Sequence, residues 1–138
     1  MSRITNTEPL FRSSTKEAQI GIALELDLPP PDDWQDWEYY FAYFEKIERY
    51  LEHYEFVNDD DRKFVLMKML IQATDDKARE GELDVYWLKL KPLLLKDFKI
   101  HEYTIYYWCV FDNENIEDCF AITPLMRAFW KSIRKNWV

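Results

Sequence analysis

Glycine is almost missing from this chain: Gly21 and Gly81 are the only two. Loops that cradle phosphates need several glycines, because the backbone must approach the anion closely and adopt positive φ. Accordingly there is no G-x-G-x-x-G, no P-loop and no G-x-S-x-G nucleophile elbow. Nucleotide-dependent chemistry on the common scaffolds is therefore excluded as an expectation. The same scarcity argues against an all-β fold rich in hairpins.

Cysteine and histidine are nearly as sparse. Cys109 and Cys119 are too few for a disulfide framework, and their spacing is not that of a zinc knuckle. His53 and His101 stand far apart, and neither belongs to an H-x-x-x-H pair. The acids from Asp112 to Asp118 lack the glycine and terminal bidentate Glu of an EF-hand loop. No metal and no cofactor is expected. Serine occurs only at positions 2, 13, 14 and 132, three of them near the N-terminus, so no serine nucleophile stands out. Cys109 or Cys119 with His101 is a conceivable dyad that nothing in the spacing supports.

Long apolar runs are missing too. No stretch approaches the roughly 18 consecutive apolar residues of a membrane span. No N-terminal segment joins a basic start to a short apolar run and a small-residue cleavage site. The expectation is a cytoplasmic, soluble protein with reduced thiols.

What is present is aromatic and acidic. The 138 residues suit one domain with a core that needs no staples. Aromatics make up 17%, enough to fill a core and still supply rigid interface anchors. Net charge is −8, which repels phosphates and anionic lipid, so no nucleic acid and no membrane is expected as partner.

The pattern along the chain is mainly helical. Residues 1–14 read as a poorly ordered arm that docks through Leu10 and Phe11. Residues 15–138 read as a single domain, a bundle or stack of helical hairpins with about five to seven helices. Ser14 and Glu17 fit a capping box for a helix from Thr15 to about Asp27, although Ile20, Ile22, Leu24, Leu26 and Leu28 also alternate like a strand. Pro29, Pro30 and Pro31 form a stiff connector. Asp32 or Asp33 then caps a long helix from about Trp34 to Glu55. Its apolar stripe is Trp37, Phe41, Phe44, Ile47, Leu51 and Tyr54, with Glu38, Glu45, Arg49 and Glu52 opposite.

Asn58 and Asp59 to Asp61 start the next helix, which runs to about Arg79. It is expected to bury Phe64, Met67, Ile71, Thr74 and Ala78 and to end near Gly81. Pro92 predicts a kink or a break in residues 82–98. Residues 100–111 match a helical stripe, and the alternative is an α+β fold with a β-hairpin at about 102–122. Thr123 reads as the cap of a final helix with Pro124 in its first turn. Its stripe is Met126, Phe129, Trp130, Ile133 and Trp137, and Arg127, Lys131, Arg134 and Lys135 form the other face.

Charge is distributed unevenly. Between Glu25 and Asp61, thirteen acids face only Lys46 and Arg49, a local charge of −11. Such a surface accelerates encounter with a cationic partner. The expected function is a non-enzymatic acidic binding module for a basic protein surface. Small acidic inhibitors, including immunity proteins that mask a basic toxin domain, are the analogy in charge and size. The expected contact residues are Trp34, Trp37, Tyr40 and Tyr43, ringed by Asp32, Asp33, Asp36 and Glu38. The alternatives are a helical scaffold subunit that forms a homodimer, and an enzyme with a carboxylate or His/Cys site that the linear sequence conceals.

Overall fold

A computed structural model describes residues 9–32 and 36–135, with side chains as far as Ile133. The helix Asp60–Asp76 organises most of it. Phe64, Val65, Leu66, Met67, Met69, Leu70, Ile71, Ala73 and Thr74 are all buried, so this helix is apolar around most of its circumference. A helix of that kind belongs at the centre of a core. The expected line of Phe64, Met67, Ile71 and Thr74 is buried, but Ala78 lies beyond the helix and is only partly covered.

The described residues form seven α-helices and no strand: α1 Lys16–Leu26, α2 Trp37–Tyr40, α3 Ile47–Tyr54, α4 Asp60–Asp76, α5 Leu83–Lys96, α6 Phe98–Cys109 and α7 Thr123–Lys135. The fold is mainly α, and the β-hairpin alternative at 102–122 is absent from the described residues. The chain divides into two compact units, Ser13–His101 and the described residues of Met1–Arg12 with Glu102–Val138.

In the larger unit α4 packs against α1, α2, α3 and α5. Thr15, rather than Ser14, caps α1 by accepting from the Ala18 amide at 3.1 Å. Asp27 ends α1 in the left-handed region at φ 58°, and the Leu28 amide returns to the Ala23 carbonyl. Asp59 caps α4 through the Arg62 amide, and Gly81 closes the 3₁₀ turn after α4 at φ 72°.

The expected long helix from Trp34 to Glu55 is not one element. It breaks after Tyr40 and resumes through a 3₁₀ turn, Phe44–Lys46, into α3. The break is held by tertiary contacts: the Tyr50 hydroxyl donates to the Phe41 carbonyl at 2.8 Å, and the Trp37 indole donates to the Pro29 carbonyl at 2.8 Å. Conversely, α5 runs through Pro92 without the expected break. Pro92 is exposed, so its ring faces solvent rather than a packed neighbour.

In the smaller unit Ile105, Trp108, Ile122, Met126, Phe129 and Trp130 make the core. Phe11 meets the Tyr103 ring edge-on at 5.0 Å, while Leu10 stays exposed. The Thr123 hydroxyl donates to the Trp108 carbonyl at 3.0 Å instead of acting as the expected cap, and α7 begins at Thr123 itself. Val110 ends α6 at φ 50°, a conformation that costs a β-branched residue about 1–2 kcal/mol. Arg127 holds this end: its Nε donates to the Cys109 carbonyl at 2.6 Å, and its Nη2 donates to Val110 and Asn113 carbonyls at 2.7 and 3.0 Å. The basic residue of α7 nearest its start therefore serves as a C-cap for α6. Trp137 lies outside the described residues.

Candidate interaction surface

The expected contact residues separate into three groups. Asp32 and Asp36 are exposed, Asp33 and Trp34 lie outside the described residues, and Trp37 and Glu38 are buried. The last two correct the sequence-based expectation. The break after Tyr40 uncouples the phase of α2 from that of α3, so Glu38 no longer shares a face with Glu45 and Glu52.

Glu38 is instead the centre of a polar network. Its carboxylate accepts from Ser14 Oγ at 2.9 Å and from Gln19 Nε2 at 2.7 Å, and it pairs with Lys68 Nζ at 2.7 Å. Lys68 also donates to Ser14 Oγ at 3.1 Å and lies over the Tyr39 and Phe64 rings. A carboxylate without solvent access survives only with such partners. This network joins α1, α2 and α4, and its role is structural.

Tyr40 and Tyr43 do reach the surface, at 67% and 37% exposure. Both rings meet Phe41 edge-on, with centroids 5.0 and 5.8 Å away, and Phe41 itself is buried. Phe41 thus contacts two tyrosines that are both exposed. Lys46 Nζ stands 5.4 Å from the Tyr43 ring.

The acids along α3 and the turns that flank it are the stronger feature. Glu45, Glu48, Glu52 and Glu55 recur every three or four residues and are all exposed, opposite buried Ile47, Tyr50 and Tyr54. Glu48 is partly engaged: it accepts from the Tyr86 hydroxyl at 2.7 Å and from Lys89 at 3.1 Å. Those two bonds hold its carboxyl below the usual range. Among the described residues no base pairs with Glu45, Glu52 or Glu55 within salt-bridge distance.

At the end of this acidic side stands a residue that the sequence reading missed. Phe56, in the turn after α3, is 74% exposed and is followed by exposed Asn58, Asp59 and Asp60. The signal was available: Phe56 falls off the Trp37–Tyr54 stripe and sits in a run of acids. A large ring left in water beside carboxylates differs from the usual fate of phenylalanine.

Not every acid of the stretch is available. Glu25 is engaged by His53 Nε2 at 2.6 Å and by the Arg62 guanidinium. Arg62 lies across Gly21, where an added Cβ would meet its side chain. The close approach of α1 to this arginine is what the glycine permits.

A second histidine–carboxylate cluster, besides the partly exposed His53–Glu25 pair, is largely buried. Tyr54 donates to Asp97 Oδ2 at 2.8 Å and lies 2.7 Å from His101 Nε2, so the imidazole Nε2–H donates to the phenol oxygen. Burial first, and then the Asp97 carboxylate, push the Tyr54 phenol above its ordinary range. Burial would raise Asp97, but the Tyr54 hydrogen bond and the Lys63 charge 3.4 Å away outweigh it and hold the carboxyl low. His101 has no accessible surface, and the chain of bonds leads from it through Tyr54 to the partly exposed Asp97 and Lys63, all within the larger unit. Burial also pushes the Cys109 thiol up to about 12, which keeps it protonated. No group of three or more His, Cys, Asp or Glu among the described residues is arranged to hold a metal ion. Among the same residues no helix is long and apolar enough to cross a membrane.

The class that these observations define is an all-α protein with an acidic, aromatic-bearing helix face. No protein-family model, no curated protein and no solved structure matches the chain significantly.

Proposed function

We propose that the chain is a non-enzymatic binding module that recognises a basic protein surface through the outer side of α3 and the turn that follows it. The carrying observation is Phe56, exposed at 74% among exposed Glu52, Glu55, Asp59 and Asp60. The ring supplies an anchor that gains by desolvation, and the carboxylates steer a cationic surface toward it. Tyr40 and Tyr43, with Asp36 nearby in sequence, supply further aromatic contact area of the same kind. An inhibitor of the immunity type, masking a basic domain in the cytoplasm, fits this chemistry.

The experiment is affinity capture from native lysate at low and high salt, with the bound proteins identified. Wild type is compared with Phe56→Ala and with the triple variant Glu52→Gln, Glu55→Gln, Asp60→Asn. Basic proteins retained at low salt by the wild type are expected to be lost by both variants. An unchanged set of bound proteins would overturn the assignment of this face.

A further inference from the structure

The smaller unit carries its own surface of apolar side chains set among acids. No base occurs from Glu102 to Met126, a stretch that holds five acids. Four of them, Asp112, Glu114, Glu117 and Asp118, lie in the turn between α6 and α7, and all four are exposed. Asn115 organises this turn: its side chain accepts from the Glu117 amide at 3.2 Å and donates to Asp118 Oδ2 at 3.0 Å. Among the described residues no base stands within salt-bridge distance of any of the four acids. Tyr107, Phe111, Ile116 and Phe120 are exposed beside them, at 38–49%. Buried Trp108 meets the Tyr107 ring edge-on at 6.1 Å and the Phe120 ring at 4.4 Å, so both exposed rings contact one indole.

The bases of this unit do not cancel the turn. Arg127 comes first, and its guanidinium is committed to the Cys109, Val110 and Asn113 carbonyls, 5.6 Å from the Phe111 ring. Lys131 stands one turn further along α7 and is exposed; with both counted, the turn keeps a net negative charge. Arg134 and Lys135 follow at the far end of α7, and Arg12 follows Phe11, which meets Tyr103 about 10 Å of helix before the end of α6. Local charge and the net charge of −8 therefore select the same occupant. Nucleic acid and anionic lipid bring phosphates against carboxylates. A second copy packed by a two-fold axis on this turn brings four acids against four. A neutral apolar partner covers the rings but strips water from carboxylates and offers them no counter-charge. A partner with cationic and apolar side chains together meets none of these penalties.

We infer that the turn between α6 and α7, with Tyr107 beside it, binds a cationic amphipathic segment of a partner protein. Its lysines or arginines meet Asp112, Glu114 and Glu117, and its apolar side chains cover Tyr107, Ile116 and Phe120. This surface shares no residue with the acidic side of α3 and does not rest on the function proposed above.

The test uses the full chain with the α3 face disabled by Phe56→Ala, Glu52→Gln, Glu55→Gln and Asp60→Asn. It is titrated with a fluorescent peptide of leucines and lysines, and with a control peptide that carries glutamate in place of each lysine. The lysine peptide is expected to bind at least about tenfold more tightly than the control and to shift the amide resonances of residues 107 and 112–120. Adding Tyr107→Gln is expected to weaken it by at least about fivefold. Adding Asp112→Asn, Glu114→Gln and Glu117→Gln together is expected to weaken it by at least about tenfold, with the circular dichroism spectrum unchanged. Asp118 is left in place because it holds Asn115. Binding of neither peptide, equal binding of both, shifts confined to other amides, or indifference to either added variant would overturn the inference. So would a dimer in sedimentation that Tyr107→Gln dissolves, or tighter binding to RNA or phosphatidylserine vesicles than to the lysine peptide. A peptide that binds the wild type but not the chain with the disabled α3 face would overturn this inference and leave the function proposed above standing.

Discussion

Replacing Lys68 with methionine isolates the contribution of one buried charge to this fold. Methionine keeps most of the lysine stem, so the apolar contact with the Tyr39 and Phe64 rings survives. What disappears is the ammonium 2.7 Å from a carboxylate that has no solvent access. Glu38 would retain only the neutral donors Ser14 and Gln19. Breaking a buried pair from one side costs about 3–5 kcal/mol, a large share of the roughly 5–15 kcal/mol that holds a domain together. Glu38→Gln removes the charge from the other side. It costs less, about 1–3 kcal/mol, because Lys68 retains 14% side-chain exposure and can turn its ammonium to water. The double variant carries neither charge and leaves an amide beside Ser14 and Gln19. It is therefore expected to be more stable than the sum of the single changes implies, by at least about 2 kcal/mol. Urea denaturation of the four proteins measures this coupling. A Lys68→Met cost below about 1 kcal/mol, or additivity within about 0.5 kcal/mol, would refute the claim that the pair joins α1, α2 and α4.

Three further outcomes follow from other parts of the structure. Asp27→Gly relieves a left-handed residue at the end of α1 and removes a negative charge from a helix C-terminus, so it should stabilise by about 0.5–1 kcal/mol in thermal or urea melts. Arg127→Ala removes its hydrogen bonds to the Cys109, Val110 and Asn113 carbonyls and should destabilise by about 2–3 kcal/mol, with exchange of nearby amides accelerating first. The Asp97 carboxyl is held low in the folded chain, so its contribution to stability is fully present above its unfolded value near pH 4 and is lost as pH falls through the folded value. Tyr54→Phe removes the hydrogen bond that helps to lower it, and urea melts between pH 2 and about 5 should then show a shallower loss.

Local signals accounted for much of this molecule. The helical class, the helix start near Asn58–Asp61, the stop near Gly81 and the choice of helix for residues 100–111 rest on residues within one or two turns of each other. Propensity, capping and periodicity act over that range. The acidic stretch was equally legible, and so was the exposure of Glu52, because side-chain phase within α3 follows from its own period. Phe56 was also visible as a ring off the stripe among acids, a signal that periodicity alone passes over.

Only the tertiary structure decided where the long apolar stripe breaks and which acids turn inward. A continuous period from Trp37 to Tyr54 is consistent with one helix, but Tyr50 and Trp37 instead satisfy the Phe41 and Pro29 carbonyls, and the helix divides. That division carries Glu38 to a lysine thirty residues away, a pairing that no local pattern contains. The two sides of α5 were decided the same way: Leu88 and Leu90 are the same residue type two positions apart, and only the packing of α5 on α4 decides which is covered. Composition and period set what each segment can form, whereas long-range burial selects which of its faces meets water.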